Sequence, residues 1–135
     1  MDGRSVWTEC VMTVSGQDTM RDAARLMHKK NIGCLIVVDD GKPVGIITER
    51  DFVGYIAADV EPDKTKVADI MTKNPIMLKA SEDISKAREI MLAHEIRHIP
   101  VVDDQGRLAG ILSLRDLIKA HDTRPKTTTI KFCMK

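Results

Sequence analysis

The chain has 135 residues, of which 43% are hydrophobic, and this is enough to close a core without a metal or a disulfide. The net charge is only +1 and 3% of the residues are aromatic, which argues against the basic stripe and stacking surface of a nucleic-acid binder. The cysteines (Cys10, Cys34, Cys133) lack metal-ligand spacing, and no secretory segment or bilayer-length apolar run is recognisable, so a cytoplasmic protein with reduced thiols is expected.

The first predicted elements are a short strand and a helix. Met12, Thr13 and Val14 form the strand. The helix is indicated by apolar residues spaced i, i+3, i+4 and i+7 over residues 20–27. Ser15 or Asp18 is the expected cap of this helix.

A hairpin and a second helix follow. Residues 34–48, CLIVVDDGKPVGIIT, contain two β-rich runs separated by a turn, which predicts a hairpin. A closing helix is predicted from Arg50 to Ala58. The same four elements are predicted again from the strand of Ile76, Met77 and Leu78 onward, with a helix capped by Ser81 and a closing helix from Leu114 to His121.

The chain is a tandem repeat. Residues before the hairpin turn recur at an offset of 64 and residues after it at an offset of 65, as Met27 to Met91 and Asp51 to Asp116 show. The predicted organisation is a first repeat at 6–58, a linker at 59–68, a second repeat at 69–121 and a tail at 122–135. The predicted fold class is therefore α/β, with two β-α-β-β-α repeats packed through their sheets about a pseudo-two-fold axis.

One motif occurs at the end of both hairpins: GIITERD in the first repeat and GILSLRD in the second. Thr48 stands three residues before Asp51, and Ser113 three residues before Asp116. One interpretation is a capping box, in which hydroxyl and acid satisfy the helix start. The other is a ligand site, because free N–H groups favour an anion and a carboxylate accepts hydrogen bonds from the vicinal hydroxyls of a ribose.

The repeat, its VVDD segments and both intact motifs resemble a tandem pair of CBS domains, the Bateman module. In that family, clefts built from both repeats often bind adenosine-containing ligands. The resemblance implies that Asp51 and Asp116 hold ribose hydroxyls, and that Thr48 and Ser113 contact phosphate or ribose.

The resemblance also implies which residues surround each acid. Asp51 is expected to face Ile76, Met77 and Leu78 together with Arg97, His98, Ile99 and Pro100. Asp116 is expected to face Met12, Thr13 and Val14 together with Gly33, Cys34, Leu35 and Ile36. The candidate phosphate contacts are Arg97, His98, Arg50 and Arg115. Because Arg97 and His98 are cationic donors, the cleft of Asp51 is hypothesised to be the stronger nucleotide site.

The function expected from this resemblance is that of a regulatory module. It binds AMP or ADP in preference to ATP, since each cleft has few basic groups, and it signals to a partner protein whose identity is open. S-adenosylmethionine remains an alternative ligand, and the family also implies a homodimer. A structural module with empty clefts is the alternative function.

Catalysis and metal binding are not expected. No nucleophile has a paired base, and no cofactor, nucleic-acid or membrane requirement is indicated. The sequence HEIRH at residues 94–98 matches a zinc-protease signature, but Pro100 ends the helix too early for both histidines to share one face.

Overall fold

The structure, a computed structural model, describes residues 11–120, with side chains described as far as Ile118. This part of the chain forms two compact units, residues 12–75 and residues 76–120, the latter together with Val11. Each unit combines one sheet with helices. The predicted α/β class is confirmed.

The first unit contains a sheet in the order β1-β2-β3-β4. Strand β1 runs parallel to β2, whereas β2 and β3, and β3 and β4, are antiparallel. The elements of this unit are β1 (Thr13–Val14), α1 (Met20–Lys30), β2 (Cys34–Asp39), β3 (Lys42–Thr48), α2 (Glu49–Ala57), α3 (Val67–Ile70) and β4 (Thr72–Lys73).

The second unit repeats the arrangement with a sheet in the order β5-β6-β7 within the described residues. Strand β5 is parallel to β6, and β6 and β7 form the hairpin. The elements are β5 (Leu78–Lys79), α4 (Ser85–His94), β6 (His98–Val102), β7 (Leu108–Ser113) and α5 (Leu114–Ala120). The core of this unit consists of Leu78, Ala87, Met91, Ile99, Val101, Leu112 and Leu117.

Both predicted hairpins are present, and they differ at the turn. The first turn places Asp40 and Gly41 at positive φ (52° and 78°), which is the pattern of a tight two-residue hairpin. The second turn is wider, and the carboxylate of Asp103 accepts hydrogen bonds from the N–H groups of Gln105 and Arg107, both at 2.9 Å. This difference accounts for the change of offset from 64 to 65.

The helix caps differ from the prediction. Thr19, and not Ser15 or Asp18, caps α1, because Ser15 and Asp18 bond to each other in a turn of their own. In the second unit α4 begins at Ser85, four residues after the predicted cap Ser81.

Residues 60–75 are bound to the first unit by backbone hydrogen bonds. The N–H of Met20 donates to the carbonyl of Thr65 at 2.8 Å, and the N–H of Val67 donates to that of Asp18 at 2.8 Å. Strand β4 then pairs with β3 at Gly45, and the side chain of Met71 covers this glycine. The predicted linker at 59–68 therefore overlaps helix α3, while the domain boundaries themselves stay a prediction.

Candidate functional site

The first candidate site is the corner at which β3 meets α2, residues 48–51, called here the first corner. Thr48 is still extended, with φ −122° and ψ 168°, and Glu49 begins the helix. The carboxylate oxygen Oδ2 of Asp51 accepts a hydrogen bond from the N–H of Thr48 at 2.9 Å and a longer one from its hydroxyl at 3.3 Å. Asp51 is thus tied to the start of its own helix.

The second corner, residues 113–116, has the same construction. Oδ2 of Asp116 accepts from the N–H of Ser113 at 2.8 Å, and the Ser113 hydroxyl accepts from the N–H of Asp116 at 3.1 Å. Both acids are half-buried. Within residues 11–120, every hydrogen bond to these two carboxylates is accepted by Oδ2. Oδ1 of each acid accepts no hydrogen bond from these residues.

The start of helix α1 has a similar hydroxyl-and-acid motif, which was not predicted to bind a ligand. At α1 the N–H of Asp22 donates to the Thr19 hydroxyl at 3.1 Å, and the N–H of Thr19 donates to Oδ2 of Asp22 at 3.4 Å. Asp22 is exposed, whereas Asp51 and Asp116 are half-buried. Capping is therefore a real role of the motif at all three helices, and partial burial sets the two predicted acids apart.

The residue across the hairpin from each corner hydroxyl differs between the repeats. Cys34 pairs with Thr48 in the β2–β3 register, and His98 pairs with Ser113 in the β6–β7 register. Burial, followed by the negative charge of Asp51, raises the pKa of the Cys34 thiol to about 12.

The pKa of His98 shifts in the other direction, and burial again favours the uncharged side chain. Burial lowers the pKa of the imidazole below its ordinary value of 6.5, with Arg97 acting in the same direction and Asp116 opposing both. The two corners are consequently similar in backbone and unlike in chemistry.

The predicted arginines lie at the surface. Arg50, Arg97 and Arg115 are exposed, and none of them forms an ion pair with another residue in the range 11–120. The backbone beside Arg97 has a structural task, because its carbonyl accepts from the N–H of Leu114 at 2.8 Å. The carbonyl of Gly33 accepts from Glu49 in the equivalent way at 3.1 Å.

The predicted apolar lining falls into two sets, each brought together within one unit. Thr13 and Val14 pair with Ile36 and Val37, and Leu78 pairs with Val101 next to Pro100. Most members are buried, but Thr13 and Ile76 are half-buried and Met77 is 40% exposed. Which acid each set faces stays a prediction.

The HEIRH segment is divided between two elements. His94 is the last residue of α4, Glu95 follows in a left-handed conformation with φ 54°, and His98 begins β6. The two histidines therefore do not share a helical face. No group of three or more metal-ligating side chains occurs in the described part of the chain.

An open groove between α1 and α2 in the first unit was not predicted from the sequence. Its volume is about 400 Å³, and it is lined mainly by Met27, His28, Ile32, Glu49, Phe52 and Val53. Helix α2 has no buried residue, and Val53 on the groove is 69% exposed. Apolar periodicity in a helix predicts that its apolar face packs against the core. It therefore did not indicate the apolar surface of this groove, which the described residues leave exposed.

The pattern of the CBS domain family matches the chain twice, at residues 8–58 and 67–122. The chain belongs to the CBS domain family. Both corners lie within the matched residues, so each CBS domain contains one corner with its hydroxyl and its acid.

Similar proteins of known name and structure agree with this assignment. Inosine-5′-monophosphate dehydrogenase of Methanocaldococcus jannaschii is 41% identical over 110 residues, which cover 81% of this chain but only 21% of the dehydrogenase. A CBS domain protein of Pyrobaculum aerophilum, solved with AMP, has a TM-score of 0.78 at 28% identity, over 83% of this chain and 86% of its own.

A third similar protein was solved with two ligands. The CBS domain pair of protein MJ0100, in complex with 5′-methylthioadenosine and S-adenosyl-L-methionine, has a TM-score of 0.77 at 31% identity, over 85% of this chain and 94% of its own. Among helices within residues 11–120, none has the length and apolar character that a membrane span requires.

Proposed function

We propose that this CBS pair is a regulatory module that binds an adenosine-containing ligand, with AMP or ADP preferred. The observation that carries the proposal is the pair of half-buried acids, each held by its Oδ2 at a helix start while Oδ1 makes no hydrogen bond within residues 11–120. The similar CBS proteins solved with AMP, or with 5′-methylthioadenosine and S-adenosyl-L-methionine, support the ligand class.

The proposed roles follow from the chemistry of each group. Asp51 and Asp116 accept hydrogen bonds from the vicinal hydroxyls of a ribose, for which a carboxylate already fixed in orientation is suited. Thr48 and Ser113 contact the ribose or phosphate. The phosphate candidates remain Arg97, His98, Arg50 and Arg115. The two apolar sets described above are proposed to line the adenine, as the resemblance to the family implies.

The regulatory role requires no chemistry at the site. A ligand that binds one arrangement of the module more tightly than another shifts their populations, and a partner protein that distinguishes the two arrangements responds. The partner, the homodimer and the cytoplasmic location remain proposals. Enzymatic activity is not proposed, because the match to the dehydrogenase covers about a fifth of that protein.

Ligand titration tests the proposal directly. AMP, ADP, ATP, S-adenosylmethionine and 5′-methylthioadenosine are titrated into the full chain by calorimetry, with thermal unfolding measured in parallel. A ligand at one hundred times its Kd raises the free energy of unfolding by about 2.7 kcal/mol, which is several degrees in the unfolding temperature. Absence of heat and of any thermal shift with all five compounds contradicts the proposal.

The matched variants are Asp51→Ala, Asp116→Ala and Asp22→Ala. All three remove the acid of a capping motif, but Asp22 is exposed and belongs to neither corner. Loss of one binding site in each of the first two variants, with the wild-type number of sites and affinities retained in the third, supports the ligand role. Equal retention of binding in all three contradicts the ribose role of the two acids, whereas absence of binding in the wild-type chain as well favours the structural module with empty clefts, for which the capping geometry at α1 is the supporting observation.

A further inference from the structure

The two sheets differ at one edge. In the first unit the outer edge of β3 is covered by β4, which pairs with it at Gly45 and Ile46. In the second unit the equivalent strand β7 pairs with β6 alone among residues 11–120. An uncovered strand edge presents a row of N–H and C=O groups without partners. The edge of β7 is therefore a docking surface for one more strand.

A glycine marks the covered position of the sheet. Gly45 is buried, and a Cβ there would lie 2.7 Å from Cγ of Met71, so the methionine side chain fills the space above this glycine. The equivalent of Gly45 at the offset of 65 is Gly110 of β7, and it is also buried. The equivalent of Met71 at the offset of 64 is Trp7. The repeat thus supplies both a vacant position on β7 and an apolar side chain to fill it.

The described chain begins at the unit to which β7 belongs. Val11 groups with the second unit, whereas the next residue, Met12, belongs to the first. The other change of unit falls between Pro75 and Ile76, which are the equivalents of Val11 and Met12 at the offset of 64. The chain before Met12 therefore arrives as part of the second unit, just as the chain before Ile76 is part of the first.

We propose that residues 7–9 form an edge strand on β7, with the indole of Trp7 covering Gly110. In the register of β4, Thr8 pairs with Ile111 and Glu9 pairs with Gly110. Each unit then takes its edge strand from the segment that precedes the other repeat in the sequence. Because β7 leads directly into the second corner, this segment also fixes the strand that carries the corner hydroxyl.

Intrinsic fluorescence tests the proposal, because Trp7 is the only tryptophan in the chain. In the native wild-type chain its emission is expected to be blue-shifted, and its quenching by acrylamide reduced, relative to the urea-unfolded chain at every protein concentration. Gly110→Ala is expected to shift the emission to the red and to increase quenching, since the new Cβ displaces the indole. Gly45→Ala is the matched control, and it should leave the emission unchanged because its Cβ meets Met71 instead.

The size of the side chain at residue 7 gives a second readout. Trp7→Met supplies the residue that the first unit uses and should retain most of the thermal stability, whereas Trp7→Ala should lower the Tm by several degrees. Combining Trp7→Ala with Gly110→Ala should cost less stability than the sum of the two single losses, because residues in contact are not additive.

The outcomes that contradict the proposal are distinct from those for the ligand. Equal acrylamide quenching of the native and unfolded chains overturns it, and so does a red shift in Gly45→Ala that Gly110→Ala does not show. Protection of the tryptophan that is lost on dilution also overturns it, because a second copy of the chain then covers the indole. If Gly110→Ala does not fold, recovery of folding on adding Trp7→Ala supports the proposal and failure to recover overturns it. None of these measurements uses a ligand, so the result is independent of the proposed function.

Discussion

Oδ2 of Asp51 lies 2.9 Å from the backbone nitrogen of Thr48, so the acid proposed to bind a ribose already stabilises a helix. The same relationship joins Asp116 to Ser113 at 2.8 Å. A substitution at either acid consequently changes two quantities at once, the free energy of unfolding and the ligand affinity. The control at Asp22 makes the two effects separable.

Asp51→Ala, Asp116→Ala and Asp22→Ala are each expected to lower the free energy of unfolding by roughly 0.5–2 kcal/mol, because each leaves helix-start N–H groups without a capping partner. Urea unfolding without ligand measures this loss. Asp51→Asn and Asp116→Asn keep an acceptor oxygen and are expected to lose less. Unchanged stability in all the alanine variants contradicts the capping role.

Gly45→Ala is expected to destabilise the first unit. A Cβ at this position lies 2.7 Å from Cγ and 3.1 Å from Cβ of Met71, so the methionine must move. We expect a loss of roughly 1–3 kcal/mol in the free energy of unfolding, as for other overpacked sites. Adding Met71→Ala should recover part of the loss.

Gly54→Ala is the matched control for this substitution. Gly54 lies inside α2, and a Cβ there has no neighbouring atom within 4 Å. It should therefore stabilise by about 0.5–1 kcal/mol through helix propensity. If the contact with Met71 is the cause, chemical unfolding shows a lower free energy of unfolding for Gly45→Ala and a higher one for Gly54→Ala. A change of the same sign in both variants contradicts this explanation.

Glu95→Asn is expected to stabilise the second unit. Glu95 ends α4 with φ 54° and ψ 42°, a left-handed conformation that side chains other than Asn and Gly adopt at a cost. The equivalent residue in the first repeat, Asn31, has φ 54° and ψ 50°. The gain should be roughly 0.5–1 kcal/mol, and the reverse exchange Asn31→Glu should lose a similar amount in thermal or urea unfolding.

The stability of the chain is expected to depend on pH through His98. Burial lowers the pKa of this imidazole in the folded chain below the 6.5 that it has when exposed. Between the folded pKa and 6.5 the unfolded chain binds more protons than the folded chain. The contribution of His98 to the free energy of unfolding is therefore fully present above about pH 6.5 and is lost as the pH falls through the folded pKa.

Urea unfolding between pH 5 and 8 measures this dependence. His98→Asn removes the titrating group and should flatten the curve in this window. His28→Asn replaces an exposed histidine at the end of α1 and serves as the control. A curve that His98→Asn leaves unchanged contradicts the assignment.

The repeat, the hairpins and the positions of both corners were predictable from the sequence, because they depend on local patterns. The alternating apolar residues of 34–48 and the turn residues Asp40 and Gly41 specify the first hairpin before any tertiary contact is considered. Thr48 and Asp51 were recognisable because the same spacing recurs at Ser113 and Asp116. Their capping geometry was one of the two interpretations that the motif allowed.

Other features depend on contacts that a local pattern does not show. Ser15 and Asp18 have the composition of a cap, but their hydrogen bond to each other leaves the cap of α1 to Thr19. The contrast between Cys34 and His98 required the strand register, since equivalence within the repeat does not say which side chain stands beside the corner hydroxyl. The attachment of residues 60–75 is made by backbone groups and leaves little trace in residue type.

Strand β4 shows that the sequence repeat and the folded unit end at different residues. Residues 72–73 belong to the second family match, yet they complete the edge of the sheet built by the first. A fragment cut after residue 58 would expose the N–H and C=O groups of β3 at Gly45 and Ile46, together with the surface that Met71 shields. Such an edge invites pairing between molecules, so half of this chain, expressed alone, would be prone to aggregate.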